Sequence, residues 1–189
     1  MAYRVVCGID EAGRGALAGP LVVAGVILKR KIEGLKDSKK LSFKKREELF
    51  DLIIKRAQYK IVFIDNHFID ENGISKAIKK ALKDIKDSLL ADRYIMDGNS
   101  NFEVEGIEPL IKADDKIYQV SAASILAKVS RDRFMMEIDK KYPLYEFKNH
   151  KGYGTKEHVS FIKKYGYCEI HRKSFKIKSL VYPSLFDEL

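Results

Sequence analysis

Two short apolar blocks stand near the start of the chain. Tyr3–Asp10 (YRVVCGID) reads as a strand that ends in acid, and Leu21–Leu28 (LVVAGVIL) is apolar at nearly every position. The second pattern predicts a strand covered on both faces. A glycine-rich turn, Ala12–Pro20 (AGRGALAGP), joins them. Ser42–Ala57 has helical periodicity, with Ser42 as N-cap and Leu49, Ile53 and Ala57 on one face. Tyr59–Ile64 is a third strand, and Ile74–Leu90 an amphipathic helix with lysines outside. Arg93–Met96 is a short strand ending at Asp97–Gly98, and Glu108–Lys112 another that ends at Asp114. Ser121–Lys140 is the strongest helix, small and apolar in its first half and charged in its second. Ala122, Ala123 and Ala127 allow it to approach a sheet closely. Helices after Thr155 and a basic tail follow. Three early strands, then alternating strands and helices, predict an α/β sandwich with a mixed sheet.

The 189 residues and 46% hydrophobic content allow a sizeable core and exclude wholesale disorder. No repeat, linker or low-complexity tract interrupts them. No run is long enough to cross a bilayer. The opening residues lack a basic leader and a cleavage site, so no signal peptide is expected. Cys7 and Cys168 are too few for a disulfide framework and lack metal-site spacing. Reduced thiols and a cytoplasmic location are the expectation.

The net charge of +9 is unevenly placed: residues 29–60 carry +7, residues 140–178 carry +8, and the remainder −6. Two basic segments around an acidic remainder suit a polyanion partner. A lysine-rich solvated surface would give the same totals.

The acids recur where strands end: Asp10 and Glu11 after the first, Asp97 after the fourth, Asp114 after the fifth. Chemistry in α/β sheets collects at such ends. Converging carboxylates repel one another, and a divalent cation removes that penalty. Hard oxygen donors suit Mg²⁺ or Mn²⁺. Two such ions roughly 4 Å apart activate a water and stabilise the leaving oxygen of a phosphodiester. The same spacing also fits ordinary turn polarity, as Asp97–Gly98 illustrates. Asp10 and Glu11, adjacent on a strand, share one ion only if the chain bends there, and Gly8 and Gly13 make a bend plausible.

The string GIDEAGRGALAGPLVVAGVIL (8–28) resembles the opening signature of the type 2 ribonuclease H family, ribonuclease HII. So, in order, do DSKKLS (37–42), MDGN (96–99), KAD (112–114), SAASILAKVSRDR (121–133), HKGYGTKEH (150–158) and HRKSF (171–175). The resemblance spans residues 4–176. It implies a ribonuclease H-like fold: a five-stranded mixed sheet flanked by helices, with a small C-terminal helical extension. Residues 1–140 would be the catalytic domain and 141–189 a basic, substrate-binding extension packed on it. The implied activity is endonucleolytic hydrolysis of RNA in RNA–DNA hybrids and incision 5′ of single ribonucleotides in duplex DNA, leaving 5′-phosphate and 3′-hydroxyl ends.

Carried over by position, the metal ligands are Asp10, Glu11, Asp97 and Asp114. The last is chosen over Asp115 because the family's Asp lies seven residues before the Ser121 block. Ala113 stands where bacterial members often have Gly. Gly13-Arg14-Gly15 would recognise the 2′-hydroxyl, the group that separates RNA from DNA. Tyr153 would pack on the sugar at the RNA–DNA junction. Lys39, Lys40, Lys151, Arg172 and Lys173 are read as phosphate contacts, and Asp132 as an ion-pairing helix residue. His150, His158 and His171 are read as structural or phosphate-side groups. Most aromatics of the C-terminal part are expected in its core. A monomer is expected. Residues 179–189 hold apolar groups that could meet a sliding clamp, but without a Gln-led clamp motif the expectation is that they pack back on the domain. The rival readings are another ribonuclease H-like nuclease, such as a junction resolvase, and a binding module that never cuts; the presence of all four acids argues against the second.

Overall fold

β1 (Val6–Ala12) pairs antiparallel with β2 (Leu21–Leu28), and β2 with β3 (Ala57–Ile64). On its other edge β1 pairs in parallel with β4 (Arg93–Asp97), and β4 with β5 (Ile107–Leu110). The sheet order is therefore β3-β2-β1-β4-β5, the mixed five-stranded sheet expected. The structure is a computed structural model and describes residues 4–35 and 41–177.

β2 shows why its sequence lacks alternation. Leu21, Val23 and Ile27 enter one core, while Val22, Ala24 and Val26 enter the other. The first core packs α2 (Asn66–Asn72) and α3 (Ile74–Ser88) on the sheet through Ile69, Ile78, Leu82 and Ile85. The second packs α1 (Phe43–Arg56) and α5 (Tyr118–Lys141) through Leu49, Ile53, Ala122, Ala123 and Leu126. Each such aliphatic side chain contributes about 1.5–3 kcal/mol on burial. The first half of α5 is small and largely apolar because it lies between the sheet and α1.

Ser42 caps α1 as predicted, its hydroxyl accepting from the Lys45 amide at 3.3 Å. Ala57 does not extend that helix; it is extended and starts β3. The pattern gave no sign of α2, although Asp65 caps it by accepting from Phe68 N at 2.7 Å. β5 begins one residue earlier and stops two earlier than predicted. Lys112, at φ 56°, turns the chain into the short α4 (Ala113–Lys116), so Asp114 sits on a helical turn and not at a strand end.

The described residues that follow α5 pack mainly against its far half. A 3₁₀ turn at Pro143–Tyr145, α6 (Phe147–His150) and α7 (Lys156–Tyr165) enclose a third core around Met135, Tyr145 and Phe147. Tyr145 and Phe147 stack with ring centroids 5.5 Å apart. Tyr165 and Tyr167 stay exposed, and Phe175 packs on the first core instead.

Candidate active site

The β1–β4 ladder stops at Ile9–Met96. Asp10 and Glu11 lie just beyond it, beside Asp97 at the end of β4. Where the strands part, residues on opposite faces of the pleat border the same opening. Asp10, Glu11 and Asp97 all line one cleft of about 460 Å³. No bend at Gly8 is involved, contrary to expectation. A Cβ there would lie 2.2 Å from the Gln119 carbonyl carbon, so Gly8 lets α5 lie against β1. Gly13, at φ +87°, is the residue that turns the chain.

The opposite wall of the cleft is the glycine-rich loop with Tyr153. The Gly13 amide donates to the Tyr153 hydroxyl at 3.1 Å. Arg14 is half exposed, its guanidinium 3.7 Å from Glu11 Oε1 and 5.3 Å from the centroid of the Phe102 ring. Gly15 has open space around it, with nothing within 4 Å of a Cβ built there.

The acids repel charge. Burial first, then the neighbouring Glu11 carboxylate, push Asp10 up to about 8, with Asp97 adding to the rise. The Glu11 amide, which donates to Asp10 Oδ1 at 2.8 Å, and the Ser124 hydroxyl oppose that rise only in part. Burial also raises Glu11; Arg14 counters this and Asp97 reinforces it. Glu11 Oε2 is buried and accepts no hydrogen bond. Buried, mutually repelling carboxylate oxygens with an unused acceptor are a fit, in donor type and charge, for a hard divalent cation. Among the described residues no group of three acids, histidines or cysteines is already spaced to hold a metal ion.

Asp114 does not line the cleft. It is 2% exposed, on the inner side of α4, while Asp115 faces solvent. Asp97 Oδ1 accepts from the Ala113 amide at 2.7 Å, so Asp97 grips the turn that carries Asp114.

Other expected contacts divide. Arg172 is not a surface group: it is 1% exposed, and its guanidinium donates to Gly19 O at 3.0 Å and Arg14 O at 3.2 Å. It supports the glycine-rich loop from behind, with its Nη2 buried and without a hydrogen-bond partner. Lys151 stands outside the cleft lining, and its ammonium donates to Lys148 O. The Lys173 amide and the Ser174 amide and hydroxyl all bind the Asp70 carboxylate. Asp132 pairs with Lys128 at 2.6 Å, the expected helix-face ion pair. Lys39 and Lys40 lie outside the described residues.

Three polar lining residues are not among those expected from the sequence: Arg46 from α1, and Ser124 and Lys128 from α5. The last two are four apart, hence on one helix face, a signal present in the SAASILAKVS string. Arg131 was passed over too. Fully buried on α5, it donates to Pro20 O at 2.9 Å, Ala18 O at 3.0 Å and Lys151 O at 2.9 Å, and lies 5.0 Å from the Tyr153 ring centroid. It fastens the glycine-rich loop and the Tyr153 segment, which together form one wall of the cleft, to α5.

A mixed five-stranded sheet with acids at the adjoining ends of its two central parallel strands is a ribonuclease H-like architecture. Residues 7–178 match the family model of ribonuclease HII. The chain is 53% identical over 183 residues to ribonuclease HII of Sulfurovum sp., covering 97% of each chain. It is 58% identical over 177 residues to that of Aliarcobacter butzleri, covering 93% of this chain and 92% of the relative. The ribonuclease HII solved in complex with PCNA from Archaeoglobus fulgidus superposes with a TM-score of 0.81 at 28% identity, over 92% of this chain and 96% of that one. The chain belongs to the ribonuclease HII family, and it is a hydrolase of the ribonuclease H type, an endonuclease acting on RNA–DNA hybrids.

Proposed function

We propose that this enzyme cuts the RNA strand of hybrids and also incises 5′ of single ribonucleotides in duplex DNA, leaving 5′-phosphate and 3′-hydroxyl ends. The observation that carries this is the facing of two unlike walls across one cleft: three acids on one side, Gly13–Gly15 and Tyr153 on the other. Asp10, Glu11 and Asp97, with Asp114 behind them, would hold two divalent ions, Mg²⁺ or Mn²⁺. When bound, such ions supply an activated water and neutralise charge on the leaving 3′-oxygen.

The chain's own residues do the selecting. Glycines at 13 and 15 let backbone groups approach a sugar with no Cβ between. Gly15 is open enough for that approach. Arg14 can exchange its contact with Glu11 for a phosphate. Tyr153 offers a flat face beside the loop. Arg46 and Lys128 add positive charge to the acid-lined cleft, where a phosphate must sit.

In this reading residues 1–140 carry the chemistry and 141–189 hold the duplex, in a cytoplasmic monomer. No helix among the described residues is long and apolar enough to cross a membrane. The Archaeoglobus relative was solved with PCNA. A sliding clamp is therefore a second partner to test against residues 179–189, which lie outside the described residues.

The experiment is incubation of the protein with an end-labelled DNA duplex carrying one ribonucleotide, with Mg²⁺, with Mn²⁺ and with EDTA. The expected result is a metal-dependent cut at the ribonucleotide's 5′ phosphodiester. Cleavage of a four-way DNA junction without cleavage of this duplex would overturn the reading.

A further inference from the structure

Three histidines sit buried behind Tyr153: His150, His158 and His171 are 7%, 0% and 1% exposed. They come from α6, from α7 and from the segment after it. Read from Tyr153 inward, their partners assign the ring protons of His158 and His171. His158 Nδ1 is 2.9 Å from Tyr153 O, and a carbonyl can only accept, so Nδ1 carries the proton. In a neutral ring, His158 Nε2 must then accept. It lies 3.1 Å from His171 Nε2, which therefore donates. That leaves His171 Nδ1 as an acceptor, and the Cys168 amide indeed donates to it at 2.9 Å. Cys168 O also lies 3.3 Å and Cys168 Sγ 3.1 Å from His171 Nδ1; the shorter amide contact at 2.9 Å is the one that agrees with the assignment from the Tyr153 end. His150 stacks on His158 with ring centroids 4.3 Å apart. Its Nε2 faces Tyr145 O at 2.9 Å, and its Nδ1 accepts the Gly152 amide at 3.2 Å.

We propose that His158 and His171 are positioning residues for the reaction: a hydrogen-bond chain from the Cys168 amide through both imidazoles to the Tyr153 carbonyl sets where the Tyr153 ring meets the sugar. The inference rests on the reading that Tyr153 touches substrate. Tyr153 is held at both ends. Its hydroxyl accepts from Gly13 and its carbonyl from His158. The segment before it has Lys151 at φ 52° and Gly152 at φ +79°, where a Cβ on Gly152 would lie 2.5 Å from Ala18 O. Such a loop has few conformations, and the His158 bond selects one. Burial keeps both rings neutral, as the chain requires, holding His158 and His171 down at about 4.

The chain makes a spectroscopic statement. Free neutral imidazole favours the Nε2–H tautomer; His158 must be Nδ1–H and His171 Nε2–H. Long-range ¹H–¹⁵N correlation spectra of the wild-type protein near pH 7.5 should show one ring of each kind at these positions, assigned with His158→Asn and His171→Gln. Kinetics supply the second readout, on the duplex with one ribonucleotide. His158→Asn keeps an N–H close to the Nδ1 position and should raise KM less than about threefold. His158→Phe keeps the ring without a donor and should raise KM about tenfold, with kcat within about threefold, because contacts made equally in ground and transition states appear in KM. An Nε2–H tautomer at His158 overturns the proposal. So do equal KM values for His158→Asn and His158→Phe when both unfold cooperatively. Should wild type cut no ribonucleotide substrate, the proposed function falls, while the tautomers still decide the hydrogen-bond chain.

Discussion

Arg131 occupies the space that a side chain at Gly13 would need: a Cβ on Gly13 would lie 2.0 Å from Arg131 Nε. The guanidinium cannot step aside, because three backbone carbonyls, two from the glycine-rich loop and one from the segment before Tyr153, hold it. Gly15, two residues on, meets nothing.

The two glycines are therefore expected to respond differently to the same change. Gly13→Ala combines this clash with a φ of +87° and should cost about 3 kcal/mol of stability. Gly15→Ala should leave the melting temperature unchanged and lower cleavage at a single ribonucleotide, since its only new contact is with substrate. Thermal melts and cleavage rates on both variants check this. A stable Gly13→Ala protein would mean that Arg131 is not held as described.

Asp10→Asn should lower kcat by on the order of a hundredfold or more while leaving hybrid binding intact. It should also raise the melting temperature in the absence of metal, because a neutral amide removes the cost of burying a carboxylate and, next to it, the repulsion from Glu11, which together hold Asp10 up at about 8. Millimolar Mg²⁺ should stabilise wild type, by about 2.7 kcal/mol at a hundredfold excess over Kd, and stabilise the variant less. Differential scanning fluorimetry with and without Mg²⁺ separates these effects. An equal Mg²⁺ shift in both proteins would remove Asp10 from the metal site.

The buried histidines tie stability to pH. His158 and His171 are lowered from 6.5 to about 4 by burial. The unfolded chain therefore binds more protons than the native one between these values, and stability contributed by the two rings falls as pH falls through that window. Asp10, raised from 3.8 to about 8, acts in the opposite direction over the same range. The difference between wild type and His158→Asn isolates one ring. Urea melts from pH 4.5 to 7 should show stability rising more steeply with pH in wild type. Parallel curves would place His158 in solvent.

Arg172 is expected to act on the fold rather than on phosphate, since it is buried and bound to two loop carbonyls. Arg172→Met should lower the melting temperature through the loss of the bonds to Gly19 O and Arg14 O. It should leave the slope of log K against log salt for duplex binding unchanged, since no phosphate contact is lost. Lys128→Met, by contrast, should make that slope shallower by about one unit, because Lys128 borders the cleft. Binding titrations at several salt concentrations check both.

Local pattern alone determined much of this protein. The continuous apolar run at 21–28 defined a two-faced strand, Ser42 defined a helix start, and the acids at 10, 11 and 97 stood near strand ends, although only the fold set those strands side by side. Each of these is encoded within a few neighbouring residues. What the chain order could not show is which charged side chains turn inward. Arg172 lies in a basic stretch that reads as surface, and only the carbonyls of Gly19 and Arg14, more than 150 residues earlier, make it a buried brace. Gly8 looked like a bend until α5 was found against it. The direction of Asp114 was set by the left-handed turn at Lys112, and the ring protons of His158 and His171 by partners on separate segments. Periodicity registers the environment averaged over a turn of helix or a stretch of strand. The protonation, burial and aim of one polar group depend on whichever few atoms the folded chain brings beside it.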